Sequence, residues 1–292
     1  AAGTEVLFDP QTPNISYAAL GTPRIVLLPS GGIGVDPDNG VYRSIDSGQS
    51  WTKIGGAGTL NWPGTDIGRI EVAIAPSSAS TLYAGVSNVQ DDSLLAFLKS
   101  TNGGTSWTNL TANVGDYCIA QCSYDHVVKV HPNNANVVYV GGAASRYLRR
   151  STDGGTTWTT ITASTPGGPP VHVDQHAMAF GMDANGAATK LYLGNDGGVW
   201  VADVSNATGA ITWTNLNGGL QLSQFYPRIS IHPSDDQTSI GGTQDNGTQI
   251  FSGSLQWKGV TCGDGGSTAY DPQMPTTVYA SCQSVPFFQL RR

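Results

Sequence analysis

Basic residues are scarce in this sequence. Lys and Arg together number 14 among 292 residues, the formal net charge is −7, and no cluster of Lys and Arg occurs. A protein that binds nucleic acid or an anionic membrane surface presents a concentrated positive patch. The composition therefore argues against nucleic acid and against a membrane surface as partners.

Long apolar runs and helical periodicity are also missing, so we expect no membrane insertion and little helix. Only 12% of the residues are charged, whereas Gly alone numbers 38. Such a composition is typical of a β-rich domain with many turns. The start at Ala1–Gly3 suits a chain from which a signal peptide has been removed. We expect a secreted protein, extracellular or periplasmic.

Cysteine is rare but even in number, with four residues at 118, 122, 262 and 282. An even count fits disulfides in an oxidising compartment. Four cysteines allow three pairings, of which neighbour with neighbour (118–122 and 262–282) is the simplest. A metal site is the alternative, although Cys-x₃-Cys without a second close pair is weak evidence for zinc. A bridge from Cys118 to Cys122 requires a turn, because an extended strand would separate the Cα atoms too far.

One eight-residue pattern, Ser-x-Asp-x-Gly-x-x-Trp, occurs three times, at Ser44–Trp51, Ser100–Trp107 and Ser151–Trp158, with Asn102 replacing Asp in the second copy. A fixed period of about 50 residues indicates a repeat architecture. Gly supplies the positive φ of a turn, Asp accepts backbone N–H groups, and we expect the Trp to fold back as an apolar plug. Trp213 and Trp257 end two degenerate copies.

A second repeat precedes each octapeptide: alternating apolar residues, a turn that usually holds Pro, then another apolar run. It recurs at Val6–Pro10, Val72–Pro76, Val128–Pro132, Met178–Phe180, Ile229–Pro233 and Thr268–Pro272. This alternation predicts strands A and B, with C before the octapeptide and D after it. Each unit is then a four-stranded antiparallel blade.

The octapeptide resembles the Asp-box, or BNR, repeat found in sialidases, sortilin-type receptors and two-domain xyloglucanases. The resemblance implies an all-β propeller with Asp-box turns, and we expect one domain over residues 1–292. Five full blades and a partial sixth are predicted. The last segment, 287–292, matches the strand before an octapeptide. We therefore expect a fragment, completed by a further C-terminal segment or a neighbouring chain, with an unusual six-bladed closure as the alternative.

Alternating His and Asp residues precede strand A of the fourth blade. In an extended strand His172, Asp174 and His176 share one face, and aligning blades three and four puts His126 beside them. These residue types suit a divalent metal such as Zn²⁺. A hydrogen-bonded polar channel, or a glycan-contacting surface, needs no metal and is the competing interpretation.

Aspartates recur in the turn between strands B and C, at Asp196 in the fourth blade and Asp245 in the fifth. Asp-Gly and Asn-Gly pairs are ordinary in tight turns. The two-domain xyloglucanases, which the chain resembles, carry a catalytic Asp in a Thr-Asp-x-Gly-Gly turn like that around Asp196. By this resemblance Asp196 and Asp245 are the acid and base of an inverting glycosidase.

Sialidase activity is disfavoured, because no three arginines fall in register to hold a sugar carboxylate. Two hypotheses remain: a recognition module that binds a glycan or protein ligand on the His/Asp face, favoured narrowly, and a glycoside hydrolase acting on a polysaccharide. Aromatic platforms for sugars would serve either. The candidates lie outside the octapeptide register: Trp62, Trp200, Phe225 and Tyr226.

Overall fold

The structure is a computed structural model that describes residues 3–21, 26–27, 33–143, 148–220, 222–227, 229–260, 263–282 and 285–291. The chain divides into two compact units, Ala1–Gly219 and Leu220–Arg292. Helix in the described residues amounts to α1 (Thr111–Val114) and a 3₁₀ turn (Asn217–Gly219). None of these described helices has the length or apolar character to cross a membrane. The single-domain assignment stays a prediction.

The first unit contains four antiparallel sheets, each with four strands joined in chain order. Sheet one holds β1 (Gly3–Phe8), β2 (Ser16–Leu20), β5 (Gly40–Ser44) and β6 (Thr52–Gly56), with the hairpin β3 (Val26–Leu27) and β4 (Ile33–Gly34) inserted. Sheet two holds β7 (Ile67–Ala75), β8 (Ser78–Asn88), β9 (Leu94–Ser100) and β10 (Thr108–Asn109). Sheet three holds β11 (Val127–Val130), β12 (Val138–Gly141), β13 (Arg149–Ser151) and β14 (Thr159–Thr160). Sheet four holds β15 (Gln175–Met182), β16 (Ala188–Asn195), β17 (Gly198–Asp203) and β18 (Trp213–Asn215).

The second unit holds one four-stranded and one three-stranded antiparallel sheet. The fifth sheet comprises β19 (Ser230–His232), β20 (Asp235–Thr243), β21 (Gly247–Ser252) and β22 (Lys258–Gly259). The sixth comprises β23 (Gly265–Tyr270), β24 (Thr277–Cys282) and β25 (Val285–Arg291). Five full blades and a partial sixth are thereby confirmed among the described residues, and the all-β propeller fold class with them.

Each octapeptide lies in the turn from the third to the fourth strand of its sheet and is closed by its own polar side chains. In the first copy Ser44 Oγ donates to Asp46 Oδ1 (2.7 Å) and accepts the Gly48 N–H (2.8 Å). Asp46 also accepts the Ser50 N–H at 2.9 Å. Hydrogen bonds from the Ser50 hydroxyl, then from the Ser50 N–H and the Ser44 hydroxyl, lower the pKa of Asp46 to about 2. The other two copies repeat the pattern through Ser100 and Ser151.

The tryptophans of these turns are not equivalent, contrary to the plug expected for all of them. Trp107 is buried against Trp62, with ring centroids 5.3 Å apart, whereas Trp51 is 40% exposed. Trp51 Nε1 donates to Gly48 O within its own turn, whereas Trp107 Nε1 donates to Ile54 O of the preceding sheet. The plug forms where the turn faces a neighbouring sheet, because only there is apolar surface available to cover.

The first strands of successive sheets in the first unit are neighbours: β1 contacts β7, β7 contacts β11, and β11 contacts β15. Apolar side chains between consecutive sheets form three clusters, centred on Leu82 and Trp107, on Phe97 and Val140, and on Leu193 and Trp213. This packing brings the segments that lead into strands β11 and β15 side by side. The candidate site is built there.

Candidate active site

Asp196 lies in the turn between β16 and β17, and the neighbouring Asn195 fixes that turn. Asn195 Oδ1 accepts the Gly197 N–H (3.1 Å) and the Trp200 indole N–H (3.2 Å), while its Nδ2 donates to Gln175 Oε1 (3.2 Å). Gly198 has φ 99°, and a Cβ there would lie 2.2 Å from Asn217 Oδ1. The backbone is thus held while the Asp196 carboxylate stays 14% exposed.

His176, the second residue of β15, bridges two carboxylates. Its Nε2 lies 2.5 Å from Asp196 Oδ1, and its Nδ1 lies 3.5 Å from Asp125 Oδ1. Tyr124 packs edge-on against the imidazole with ring centroids 4.9 Å apart. Contacts to both nitrogens and to one face therefore fix the orientation of the imidazole ring, which remains about one-third exposed.

Asp125 is fully buried at the end of the connection between sheets two and three. Its Oδ2 accepts the Gln121 side-chain N–H at 2.5 Å, while Oδ1 has no hydrogen-bond partner among the described residues. Burial, followed by the negative charge of Asp174, raises the pKa of Asp125 to about 7. A carboxyl in that position holds a proton over much of the range below neutrality.

The loop that carries Asp125 is anchored to sheet two. Arg69 donates to Tyr124 O (2.8 Å) and to His126 O (3.3 Å), and it pairs with Glu71 at 3.2 Å. Asp92, in the turn between β8 and β9, accepts the Ser123 N–H and hydroxyl. Burial and the neighbouring Glu5 raise the pKa of Glu71 to about 8.

The predicted alternation of His172, Asp174 and His176 on one face is wrong, because the strand begins only at Gln175. Asp174 has φ 60°, which breaks the extended run. Asp174 nevertheless reaches the cluster, where it interacts with Asp125 and with Gln121 (3.4 Å), and burial raises its pKa. His172 is exposed, with Nδ1 3.2 Å from Val173 O.

These three residues do not fit a divalent metal. Both ring nitrogens of His176 face carboxylates, and the His172 ring packs on Gly197. In the described part of the chain, one set of three potential ligands converges within 4.8 Å: Cys118, Cys122 and His126. Both cysteines of that set are joined in a disulfide, so no step is derived through a metal.

His126 is placed apart from His176, which corrects the expected alignment. It is fully buried, and its Nε2 lies 2.8 Å from the Tyr117 hydroxyl. Burial and the positive charge of Arg69 lower its pKa to about 3. The neighbouring Asp125, whose N–H closes a turn on Gln121 O, takes the position beside His176.

The disulfide between Cys118 and Cys122 is present as predicted, and the turn between them places Ile119 and Ala120 at positive φ. Cys282 is also disulfide-bonded, whereas Cys262 lies outside the described residues.

Two of the four side chains predicted to be aromatic platforms for sugars, Trp200 and Trp62, are buried, so the prediction is wrong for them. Trp200 is 2% exposed in the core of sheet four, and Trp62 is buried against Trp107. Alternating residues of a strand face opposite ways, and Trp200 of β17 falls on the face that packs against sheet three. Neither ring offers a surface on which a sugar could stack.

Asp245 and Tyr226 belong to the second unit. Asp245 is exposed at φ 58° in the turn between β20 and β21, and its backbone N–H donates to Asp264 Oδ1 at 2.8 Å. Tyr226 lines a cleft with Asp264 and Ser267. Phe225 instead packs against Trp257, with centroids 5.3 Å apart. Asp245 lies in the turn between the second and third strands of its sheet, as Asp196 does in sheet four.

Sequence reasoning missed Gln121, Tyr124 and Asn195, all of which fix the site. Gln121 and Tyr124 follow Cys118 in the sequence. A short disulfide loop directly before a predicted strand A is the signal that could have identified them. Asn195 was missed because it belongs to an Asn-Asp-Gly-Gly sequence, which is common in ordinary turns.

No family model matches the chain. It is 25% identical to a xyloglucanase of Hypocrea jecorina (strain QM6a) over 324 residues, covering 96% of this chain and 35% of that enzyme. It is 28% identical to a xyloglucanase of Paenibacillus sp over 239 residues, covering 72% of this chain and 20% of that enzyme. The chain therefore spans about a third or less of these curated relatives.

Among solved structures, an ancestral GH74 enzyme superimposes with a TM-score of 0.50 and 18% identity, over 96% of this chain and 34% of that one. At this identity the likeness supports the propeller fold. The sequence relatives are what indicate a glycoside hydrolase-like protein. This result favours the hydrolase alternative over the recognition module that the sequence alone had favoured.

Proposed function

We propose that this chain forms part of a secreted glycoside hydrolase that cleaves a xyloglucan-like β-glucan, with Asp196 as one of two essential carboxylates. The supporting observation is the contact between His176 Nε2 and Asp196 Oδ1. The Asp196 carboxylate is partly exposed, and the His176 imidazole that it contacts faces the buried Asp125 on its other side. Similarity to xyloglucanases supports the substrate class.

In this proposal Asp196 is the base. An ionised Asp196 accepts the His176 Nε2–H and keeps its second oxygen for a water molecule, which it orients toward the anomeric carbon. The other carboxyl of an inverting enzyme protonates the leaving oxygen. Asp245 is our candidate, since it occupies the equivalent turn of the fifth sheet and its side chain is exposed.

The octapeptides are proposed to be Asp-boxes with a purely structural role, since their aspartates accept hydrogen bonds from N–H groups of their own turns. Secretion is supported by the disulfide between Cys118 and Cys122, because such bonds persist in oxidising compartments. The proposed partner is a neutral polysaccharide.

The test is hydrolysis of soluble xyloglucan, measured as the release of reducing ends. Asp196→Asn and Asp245→Asn should each lower kcat by about 10²–10⁴-fold, and proton NMR of the first products should show inverted anomers. Asp38→Asn, in the equivalent turn of sheet one, is the control. Binding of xyloglucan without hydrolysis by the wild-type protein would support the recognition module instead.

A further inference from the structure

A repeated cation–tyrosine pair recurs at one position of the first three sheets. The third strand places a basic residue directly opposite a tyrosine of the second strand. The pairs are Arg43 with Tyr17, Lys99 with Tyr83, and Arg150 with Tyr139. Since the register is the same, differences in what each cation contacts reflect the neighbouring turns.

In sheets two and three the cation is used within the fold. Arg150 donates to the backbone oxygens of Ala207 (3.3 Å), Thr208 (3.3 Å) and Gly209 (2.7 Å). Lys99 Nζ lies 3.5 Å from Asn136 Oδ1. Both cations therefore brace the turn of the next sheet.

Arg43 is different, because it faces an open pocket of 560 Å³ lined by Ser77, Ser78, Ser80 and Asn102. Its guanidinium lies over the Tyr17 ring, 5.9 Å from the centroid, and interacts with the Tyr17 hydroxyl. Its buried Nε, like that of Arg150, donates to no group in the described part of the chain, so the pocket is what distinguishes Arg43. Pockets of about 300–1,000 Å³ are the size that small ligands occupy.

The same pocket is also lined by a hydrogen-bond acceptor, the carboxylate of Asp9. Asp9 is buried, and its Oδ1 accepts the N–H groups of Gln11 and Thr12. Gly103, at φ 67°, lines the pocket beside Arg43, and a Cβ there would make an ordinary contact with the guanidinium carbon at 3.9 Å. One cation, one carboxylate and several hydroxyl and amide groups thus surround the space.

We infer that this pocket binds a neutral sugar residue of the polysaccharide, at the end of the strands opposite the Asp196 turn. Alternating donors and acceptors match vicinal hydroxyls, whereas Asp9 opposes a simple anion. The polysaccharide identity rests on the proposed function. The pocket would hold a chain on the enzyme without taking part in its cleavage.

Affinity electrophoresis through gels containing soluble xyloglucan tests the inference. Arg43→Gln should weaken retardation at least about tenfold, since a charge-assisted hydrogen bond is lost. Lys99→Gln, at the equivalent position of sheet two, where the cation reaches Asn136 instead, should migrate like the wild type. Ser80→Phe fills the pocket from an exposed position and should reproduce the loss. Thermal melting confirms that each variant is folded.

Unchanged retardation of both pocket variants would overturn the inference, and so would sulfate raising the melting temperature in an Arg43-dependent way while xyloglucan does not. Hydrolysis is measured in parallel. If xyloglucan binding depends on Arg43 but Asp196→Asn leaves hydrolysis intact, the proposed catalytic role fails while the sugar pocket stands.

Discussion

His176 Nε2 and Asp196 Oδ1 lie 2.5 Å apart, joining the first strand of sheet four to the turn between its second and third strands. The two residues are 20 positions apart in the sequence: His176 lies in β15, and Asp196 directly follows β16, the strand that pairs with β15. On its other side the imidazole faces a buried carboxyl from a different sheet. The predictions below follow from this arrangement.

Replacing His176 with Ala should lower kcat for xyloglucan hydrolysis by about tenfold or more while KM changes little, because the imidazole orients the base without needing to touch the sugar. His176→Gln, which can still donate to Asp196, should recover part of the activity. Equal rises in KM for both variants would instead indicate a direct role in binding substrate.

Asp125→Asn should flatten the dependence of stability on pH. The wild-type carboxyl has its pKa raised from 3.8 to about 7, so the folded state holds its proton more tightly than the unfolded state. Its stabilising contribution is complete below about pH 4 and is lost as the pH rises through about 7. Melting temperatures at pH 5 and pH 8 measure this. The wild type should lose more than Asp125→Asn, and parallel losses would contradict the assignment.

Trp200→Ala should destabilise the protein by about 3–5 kcal/mol, because it leaves a cavity in the core of sheet four and removes the indole N–H that Asn195 Oδ1 accepts. Trp51→Ala is the matched control, since that ring is 40% exposed and its loss should cost about 0.5 kcal/mol. Urea denaturation measures both. A lost affinity for glycans with unchanged stability in Trp200→Ala would restore the sugar-platform interpretation.

Gly198→Ala should disturb the Asp196 turn, since the residue has φ 99° and its new Cβ would meet Asn217. A cost of about 1–3 kcal/mol is expected, with reduced hydrolysis. Gly194→Ala, four residues earlier, would place its Cβ at an ordinary 3.8 Å from Ala177 and should be tolerated. Near-identical melting curves for the two variants would show that the turn adapts.

The blades could be predicted from sequence because alternation and octapeptide spacing are local signals. The site could be predicted only in part. His176 lies in β15 and Asp196 directly follows its partner strand β16, so their neighbourhood follows from strand pairing. His126 was misplaced because it lies between a turn and the start of β11, where strand alternation does not set the direction of a side chain. Trp200 was misassigned because composition cannot tell which face of a strand meets the next sheet.

The anchoring of Asp125 by Arg69 and Asp92 has a consequence for the order in which the protein matures. The acidic half of the site is fixed by sheet two, which a ribosome completes well before it makes His176 and Asp196. Until sheet four docks, the nascent chain carries this aspartate without its imidazole. The proposed catalytic arrangement is therefore completed late in synthesis, because a chain arrested after β14 still lacks both His176 and Asp196.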